Sequence, residues 1–154
     1  MAESSTGPVI LTIDDEAVIR TSIRNYLEDY DYRVLEAENG KKGIEVYQST
    51  HVDLILVDLR MPEMDGLEVL SNIRELNEDL PIIVISGTGN ITDVVDALRL
   101  GAWDYLLKPI DDMKILLHAV EKGLERSRLI DENRNYQQTL EIQVQQKTLE
   151  LERV

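Results

Sequence analysis

The chain has 154 residues, no cysteine, and 30 acidic against 16 basic side chains, for a formal net charge of −14. That length implies one domain with a sizeable core, and a 43% hydrophobic share fits a globular protein and not a disordered acidic tail. The lack of cysteine excludes disulfide frameworks, thiolate metal sites and Cys nucleophiles; the carboxylate excess argues against a nucleic-acid surface, and no apolar run nears the roughly 20 residues that span a bilayer. Residues 1–7 are short, polar and acidic, so they read as a disordered start and not as a signal peptide, which leaves a soluble domain of cytoplasmic type.

In chain order, the first element is the β-branched run Val9 to Ile13, ending at Asp14-Asp15. An amphipathic helix follows over residues 16–30, with Val18, Ile19, Ile23, Tyr26 and Leu27 at helical spacing. Tyr32 to Ala37 is more mixed and suits an edge strand; Ile44 and Val46-Tyr47 mark a second helix. Val52 to Val57 ends at Asp58, and Leu67, Val69-Leu70, Ile73 and Leu76 mark a third helix. Ile82 to Ile85 ends at Ser86-Gly87, with Val94-Val95, Leu98 and Leu100 behind it. Tyr105 to Leu107 ends at Lys108-Pro109, and a fifth helix runs from Ile115 onward with Asp111-Asp112 as its cap. Near-continuous apolar runs of this length are strands buried on both faces. Five β-α units in about 120 residues therefore predict a doubly wound α/β domain with a parallel sheet and right-handed crossovers.

The charge divides unevenly. Residues 1–113 hold 9 basic and 23 acidic side chains, which accounts for the whole −14, whereas residues 114–154 hold 7 of each. That second stretch has no proline, a single glycine (Gly123), and a Gln, Glu, Leu and Arg composition that favours an extended solvated helix. A boundary is expected between Met113 and Arg128.

In doubly wound sheets function gathers outside the carboxyl ends of the strands. Here those ends carry Asp14-Asp15, Asp58, Ser86 and Lys108. Carboxylates brought close together raise one another's pKa unless a cation intervenes. Oxygen-only ligands favour Mg²⁺, with Mn²⁺ the alternative. Lys108 supplies a point charge for a phosphoryl oxygen and Ser86 a hydroxyl donor, so the set suits phosphoryl transfer with an aspartate as acceptor. Taken singly, each piece has a blander reading: Asp14-Asp15 as a helix cap, Asp65-Gly66 as turn chemistry, Asn90 or Thr92 as a cap after a flexible loop, Lys108 as a surface lysine. His51, His118 and Trp103 read as structural.

Four motifs in order, each at a predicted strand end, carry a resemblance. They are Ile13-Asp14-Asp15-Glu16; Val57-Asp58-Leu59-Arg60-Met61-Pro62 with Asp65-Gly66; Ile85-Ser86-Gly87; and Tyr105-Leu106-Leu107-Lys108-Pro109. Over residues 8–125 the chain resembles the receiver domain of two-component response regulators. The resemblance implies a CheY-like five-stranded parallel sheet of order 2-1-3-4-5 with five helices, the last extended into a long C-terminal helix. It further implies that Asp58 is the phosphoacceptor and that Asp15 and Asp58 bind Mg²⁺ directly. Asp14 would join through water and Arg60 through its backbone carbonyl. Lys108 would contact the phosphoryl group, and the Lys108-Pro109 peptide would be cis. Ser86 and Tyr105 would form the switch that remodels the face of the fourth helix, fifth strand and fifth helix. Arg60, two residues after the acceptor, is a candidate for tuning phosphoryl lifetime. The implied donor is a histidine kinase or phosphotransfer protein, and the implied activity is self-catalysed phosphoryl acceptance and autodephosphorylation without turnover of an outside substrate.

Residues 126–154 read as an extension of the fifth helix. Ile130, Asn133, Gln137, Leu140, Val144, Lys147, Leu151 and Val154 recur at spacings of 3 and 4, an a/d seam with polar interruptions. It suits a weak parallel dimer whose polar positions fix register, or else a solvated helix that frays beyond residue 130. The habit of receivers to pair through the last helix favours a homodimer. The chain ends inside this helix, so an output domain cut off after residue 154, or signalling by contact alone, is expected. Leu98 to Ala102 and the continuing helix resemble receivers that precede serine/threonine phosphatases, and adaptors that deliver a sigma factor to proteolysis. Kinase and cyclic-dinucleotide modules follow linkers of this kind too. Two other readings are an interaction module that ignores phosphorylation, and an aspartyl-nucleophile phosphohydrolase. The second is disfavoured because Arg60 stands where such enzymes usually carry an acid/base Asp.

Overall fold

The computed structural model describes residues 7–87 and 89–152. The expected disorder before Gly7, Thr88 of the glycine-rich loop and Val154 of the seam lie outside the described residues. Ten elements alternate: β1 (Val9–Ile13), α1 (Ala17–Glu28), β2 (Arg33–Ala37), α2 (Gly40–Ser49), β3 (Leu54–Val57), α3 (Gly66–Leu76), β4 (Ile82–Ser86), α4 (Ile91–Arg99), β5 (Asp104–Leu107) and α5 (Met113–Glu152). The strands pair in parallel in the order β2-β1-β3-β4-β5, with Ile10 opposite both Val34 and Leu54, Leu56 opposite Ile83, and Val84 opposite Tyr105.

Side chains alternate across each strand, and this alternation builds two cores. Leu11, Ile13, Ile55, Val57, Ile82 and Val84 join Val69, Leu70 and Ile73 of α3 and Ala97 of α4. Ile10, Leu54, Leu56, Ile83 and Ile85 join Ile23 and Leu27 of α1 and Leu116, Ala119 and Val120 of α5. Burial on both faces explains why β1, β3 and β4 are apolar almost throughout, while the edge strands β2 and β5 are only half-buried. Val18 departs from its sequence reading. It is 78% exposed, because positions 19, 23, 26 and 27 already fill the face that α1 turns to the sheet.

Polar caps set three helix starts: the side chains of Asn39, Asp65 and Asn90 accept from the backbone N–H of Lys42, Glu68 and Thr92 at 2.9, 2.9 and 2.8 Å. Asp112 does the same for Lys114 at 3.0 Å near the start of α5. The N-cap of α1 is Glu16, which makes no side-chain cap, so Asp14 and Asp15 are not spent on the simple capping that their sequence position allowed.

α5 has 40 residues and so is about 60 Å long. Only its first third packs on the sheet. Farther along, the Arg126 guanidinium lies 4.1 Å from the centre of the Trp103 ring, and Arg134 pairs with Asp79 in the loop before β4.

Candidate functional site

Four of the five strands deliver their last residues to one end of the sheet. Asp14 follows β1, Asp58 follows β3, Ser86 ends β4 and Lys108 follows β5. Backbone bonds extend the sheet into this region: the Asp14 amide donates to the Ala37 carbonyl at 3.1 Å, that of Asp58 to Ile13 at 2.9 Å, and that of Lys108 to Ser86 at 2.8 Å. The polar side chains are thereby placed by the same ladder that places the core. Asp14, Asp58 and Ser86 are buried, with Asp58 only 5% exposed.

Lys108 joins the carboxylates. Its Nζ lies 2.8 Å from Asp14 Oδ2, 3.4 Å from Asp58 Oδ2 and 3.8 Å from Glu16 Oε1. Burial alone would push this ammonium down, but its hydrogen bond to Asp14 and the charges of Asp14 and Asp58 outweigh it and hold the pKa above the ordinary lysine value. Burial has the upper hand at Asp58, whose carboxyl is raised; Asp14 adds to the rise, while Lys108 and the backbone N–H of Arg60 oppose it. The Lys108–Pro109 peptide is cis.

Asp14, Asp15 and Glu16 can bring one carboxylate oxygen each within 4.8 Å of one another. Hard oxygen donors that repel one another at this spacing fit Mg²⁺. Asp15 and Glu16 are exposed, as ligands open to a hydrated ion must be, whereas Asp58 stands with Lys108 and outside this trio. Glu16 was not singled out as a ligand by sequence reasoning, although it directly follows the aspartate pair; a third consecutive acid at a strand end was the available signal.

The loop after Asp58 is anchored by Leu59 and Met61, both buried. Gly66 is required there. Its amide donates to the Leu59 carbonyl at 2.9 Å, and a Cβ would strike the Asp58 carbonyl oxygen and come within 2.8 Å of Leu59 Cα. Asp65-Gly66 therefore combines a helix cap with close backbone contact to the loop after Asp58. The Arg60 side chain reaches across to α4, where its Nη2 lies 2.7 Å from Asp93 Oδ2. Tyr105 is half-buried against the core beneath α2 and α3. A groove of about 430 Å³ opens beside Lys108, walled by Ile19, Ile23, Ile85 and Met113. His51 is 80% exposed and bonds Asp53, and His118 is exposed on α5; neither belongs to the site. Among the described residues no helix is long and apolar enough to cross a membrane.

A family model described as the response regulator receiver domain matches residues 10–121. The chain is 39% identical over 115 residues to the chemotaxis protein CheY of Listeria monocytogenes, covering 74% of this chain and 96% of that protein. It is 37% identical over 120 residues to the transcriptional regulatory protein ZraR of Klebsiella oxytoca, covering 78% of this chain but only 27% of the relative's length. The solved structure of the response regulator TrrA from Thermotoga maritima, in complex with Mg²⁺ and BeF, superposes with a TM-score of 0.70 at 30% identity, covering 76% of this chain and 99% of that one. A buried aspartate beside a half-buried lysine at the ends of a 2-1-3-4-5 sheet thus coincides with a family match across most of the chain, and the protein belongs to the response regulator receiver family.

Proposed function

We propose that residues 8–125 form a phosphoacceptor receiver that takes a phosphoryl group from a histidine kinase or phosphotransfer protein onto Asp58. The observation that carries this reading is the placement of a buried Asp58 carboxylate 3.4 Å from the Lys108 ammonium. In the transfer, an Asp58 carboxylate oxygen bonds to phosphorus as the P–N bond to the donor imidazole breaks, and the imidazole leaves with the electron pair and takes a proton. Lys108 balances charge on the phosphoryl oxygens as it arrives, and the Ser86 hydroxyl donates to one of them. Asp15, Asp58, Asp14 through water and the Arg60 carbonyl would hold Mg²⁺, with Glu16 in reach; the ion supplies neutralisation of the carboxylates and phosphoryl oxygens. The groove beside Lys108 gives the donor a partly apolar wall to approach along. Water later attacks phosphorus, the P–O bond to Asp58 breaks, and inorganic phosphate leaves with the carboxylate regenerated, so the domain catalyses only its own loading and unloading.

The added charge at Asp58 biases Ser86 and Tyr105 and through them the face of α4, β5 and α5. That face is rich in exposed apolar side chains, among them Ile91, Leu98, Leu107 and Ile115. Residues 126–152 serve as a signalling helix that pairs with a second copy, with no direct contact to nucleic acid or membrane. Leu140, Val144 and Leu151 of the seam are exposed and available to a partner helix.

Incubation with an acyl phosphate, or with beryllofluoride and Mg²⁺, tests the acceptor. A mass increase of one phosphoryl group or a shifted amide spectrum is expected for the wild type and none for Asp58→Asn; indistinguishable behaviour of the two would refute the assignment. Concentration-dependent sedimentation of the wild type, lost in Leu140→Asn, is the expected mark of the helix pair.

A further inference from the structure

Asp14 is held at every polar atom of its backbone and side chain. Its amide donates to Ala37, its Oδ1 accepts from the Glu16 N–H at 2.9 Å, and its Oδ2 accepts from Lys108. The remaining acceptor, its carbonyl oxygen, is taken by Arg20 of α1 through Nη1 at 2.6 Å. The Arg20 side chain is only 15% exposed, and its Nε donates to Glu36 of β2 at 3.3 Å. Glu36 is fixed in turn: it stands opposite Thr12 in the sheet and receives Arg24 at 3.1 Å. A chain of contacts therefore runs from the edge strand through one guanidinium to the peptide that joins Asp14 to Asp15.

Asp15 and Glu16 are exposed, so their place depends on the loop backbone that carries them. We infer that Arg20 is a positioning residue: it holds the Asp14 carbonyl so that the acidic trio stands ready for Mg²⁺. This inference rests on the proposed Mg²⁺ site. Its physical content is distinctive, because a positive charge close to a cation site opposes the cation by Coulomb's law. If Arg20 acted through charge alone, its removal would tighten Mg²⁺; if it acts by holding the loop, its removal weakens Mg²⁺. The two roles differ in sign.

The test is Mg²⁺ titration by calorimetry on the whole chain, with amide exchange of residues 14–16 measured before metal is added. Arg20→Ala is expected to raise the Mg²⁺ Kd about tenfold, the low end of what partners that orient metal ligands cost, and to speed exchange at Asp14 and Glu16. Arg20→Lys keeps the charge but cannot span Glu36 and the carbonyl with one fork, so it falls between wild type and alanine. Glu36→Gln, which leaves the guanidinium in place, gives a smaller rise and serves should Arg20→Ala fail to fold. Arg128→Ala, on the extension of α5 and paired only along that helix with Glu125 and Glu132, leaves Kd unchanged. An unchanged or lowered Kd in Arg20→Ala, with wild-type binding intact, overturns the inference alone. Failure of the wild type to bind Mg²⁺ at all overturns the metal site and the inference together.

Discussion

The helices of the receiver body and the extension of α5 are both regular α-helix, yet they are stabilised by different means. α1 and α3 each lay an apolar stripe on the sheet, and Leu27, Leu70 and Ile73 are fully buried. No residue from 126 to 151 is buried. The extension relies on pairs along its own surface, such as Arg128 with Glu125 and Glu132, and on two anchors near its base, Arg126 on Trp103 and Arg134 on Asp79. Exposed ion pairs of that kind contribute little. Tertiary burial fixes a helix, whereas propensity alone leaves it free to fray or to find a partner.

Core truncation breaks the contrast most sharply. Ile73→Ala should cost about 2–5 kcal/mol in urea unfolding, whereas Leu149→Ala should cost less than about 0.5 kcal/mol for an isolated chain. Equal losses would mean that the extension is packed after all. A second probe is the pH dependence of the metal-free body. The folded pKa of Asp58 stands above its ordinary value of 3.8, so the folded state binds this proton more tightly than the unfolded state does. Stability should therefore fall as pH rises from about 3.8 through the folded pKa and stay at the lower level near neutrality. Asp58→Asn lacks that charge while Lys108 keeps Asp14, so its melting temperature should exceed the wild type's at about pH 7 and converge with it in acid. A variant no more stable than wild type at neutral pH would show that Lys108 compensates the carboxylate in full. The smallest effect concerns Arg60. Because its side chain is committed to Asp93 on α4, Arg60→Ala should change the dephosphorylation rate only about threefold, read as loss of phosphoprotein over time; an unchanged rate removes Arg60 from control of phosphoryl lifetime.

The same contrast decides what could be read in advance. β1, β3 and β4 announced themselves because burial on both faces demands unbroken apolar runs, and the residues closing those runs were the site. Asp14, Asp58 and Ser86 were legible for that reason, whereas Lys108 closes the half-buried β5 and was marked by the motif Tyr105 to Pro109. What escaped has no periodic trace. Arg20 reaches a backbone carbonyl, and Arg60, marked in sequence by its place two residues after Asp58, reaches Asp93 33 residues away; neither partner is signalled by spacing. Val18 fits an apolar helical pattern yet faces outward, since hydrophobic spacing bounds a face without saying which member lies at its edge. The extension was hardest. Leu140, Val144 and Leu151 follow the seam, but Ile142 and Leu149 are exposed on the other side, so the apolar residues circle the helix and specify pairing weakly.

The stacking of Arg126 on Trp103 gives the long helix a pivot at the foot of β5. Beyond that point α5 continues for 26 residues to Glu152, an arm of about 39 Å at 1.5 Å per residue. A tilt of about 5° at the pivot would carry its end through roughly 3 Å, close to half a helical turn's rise. Rearrangements too slight to disturb the core can thus arrive at the far end as a change of register. The amplification is mechanical: it needs only a stiff arm and a fulcrum next to the strand that carries Tyr105.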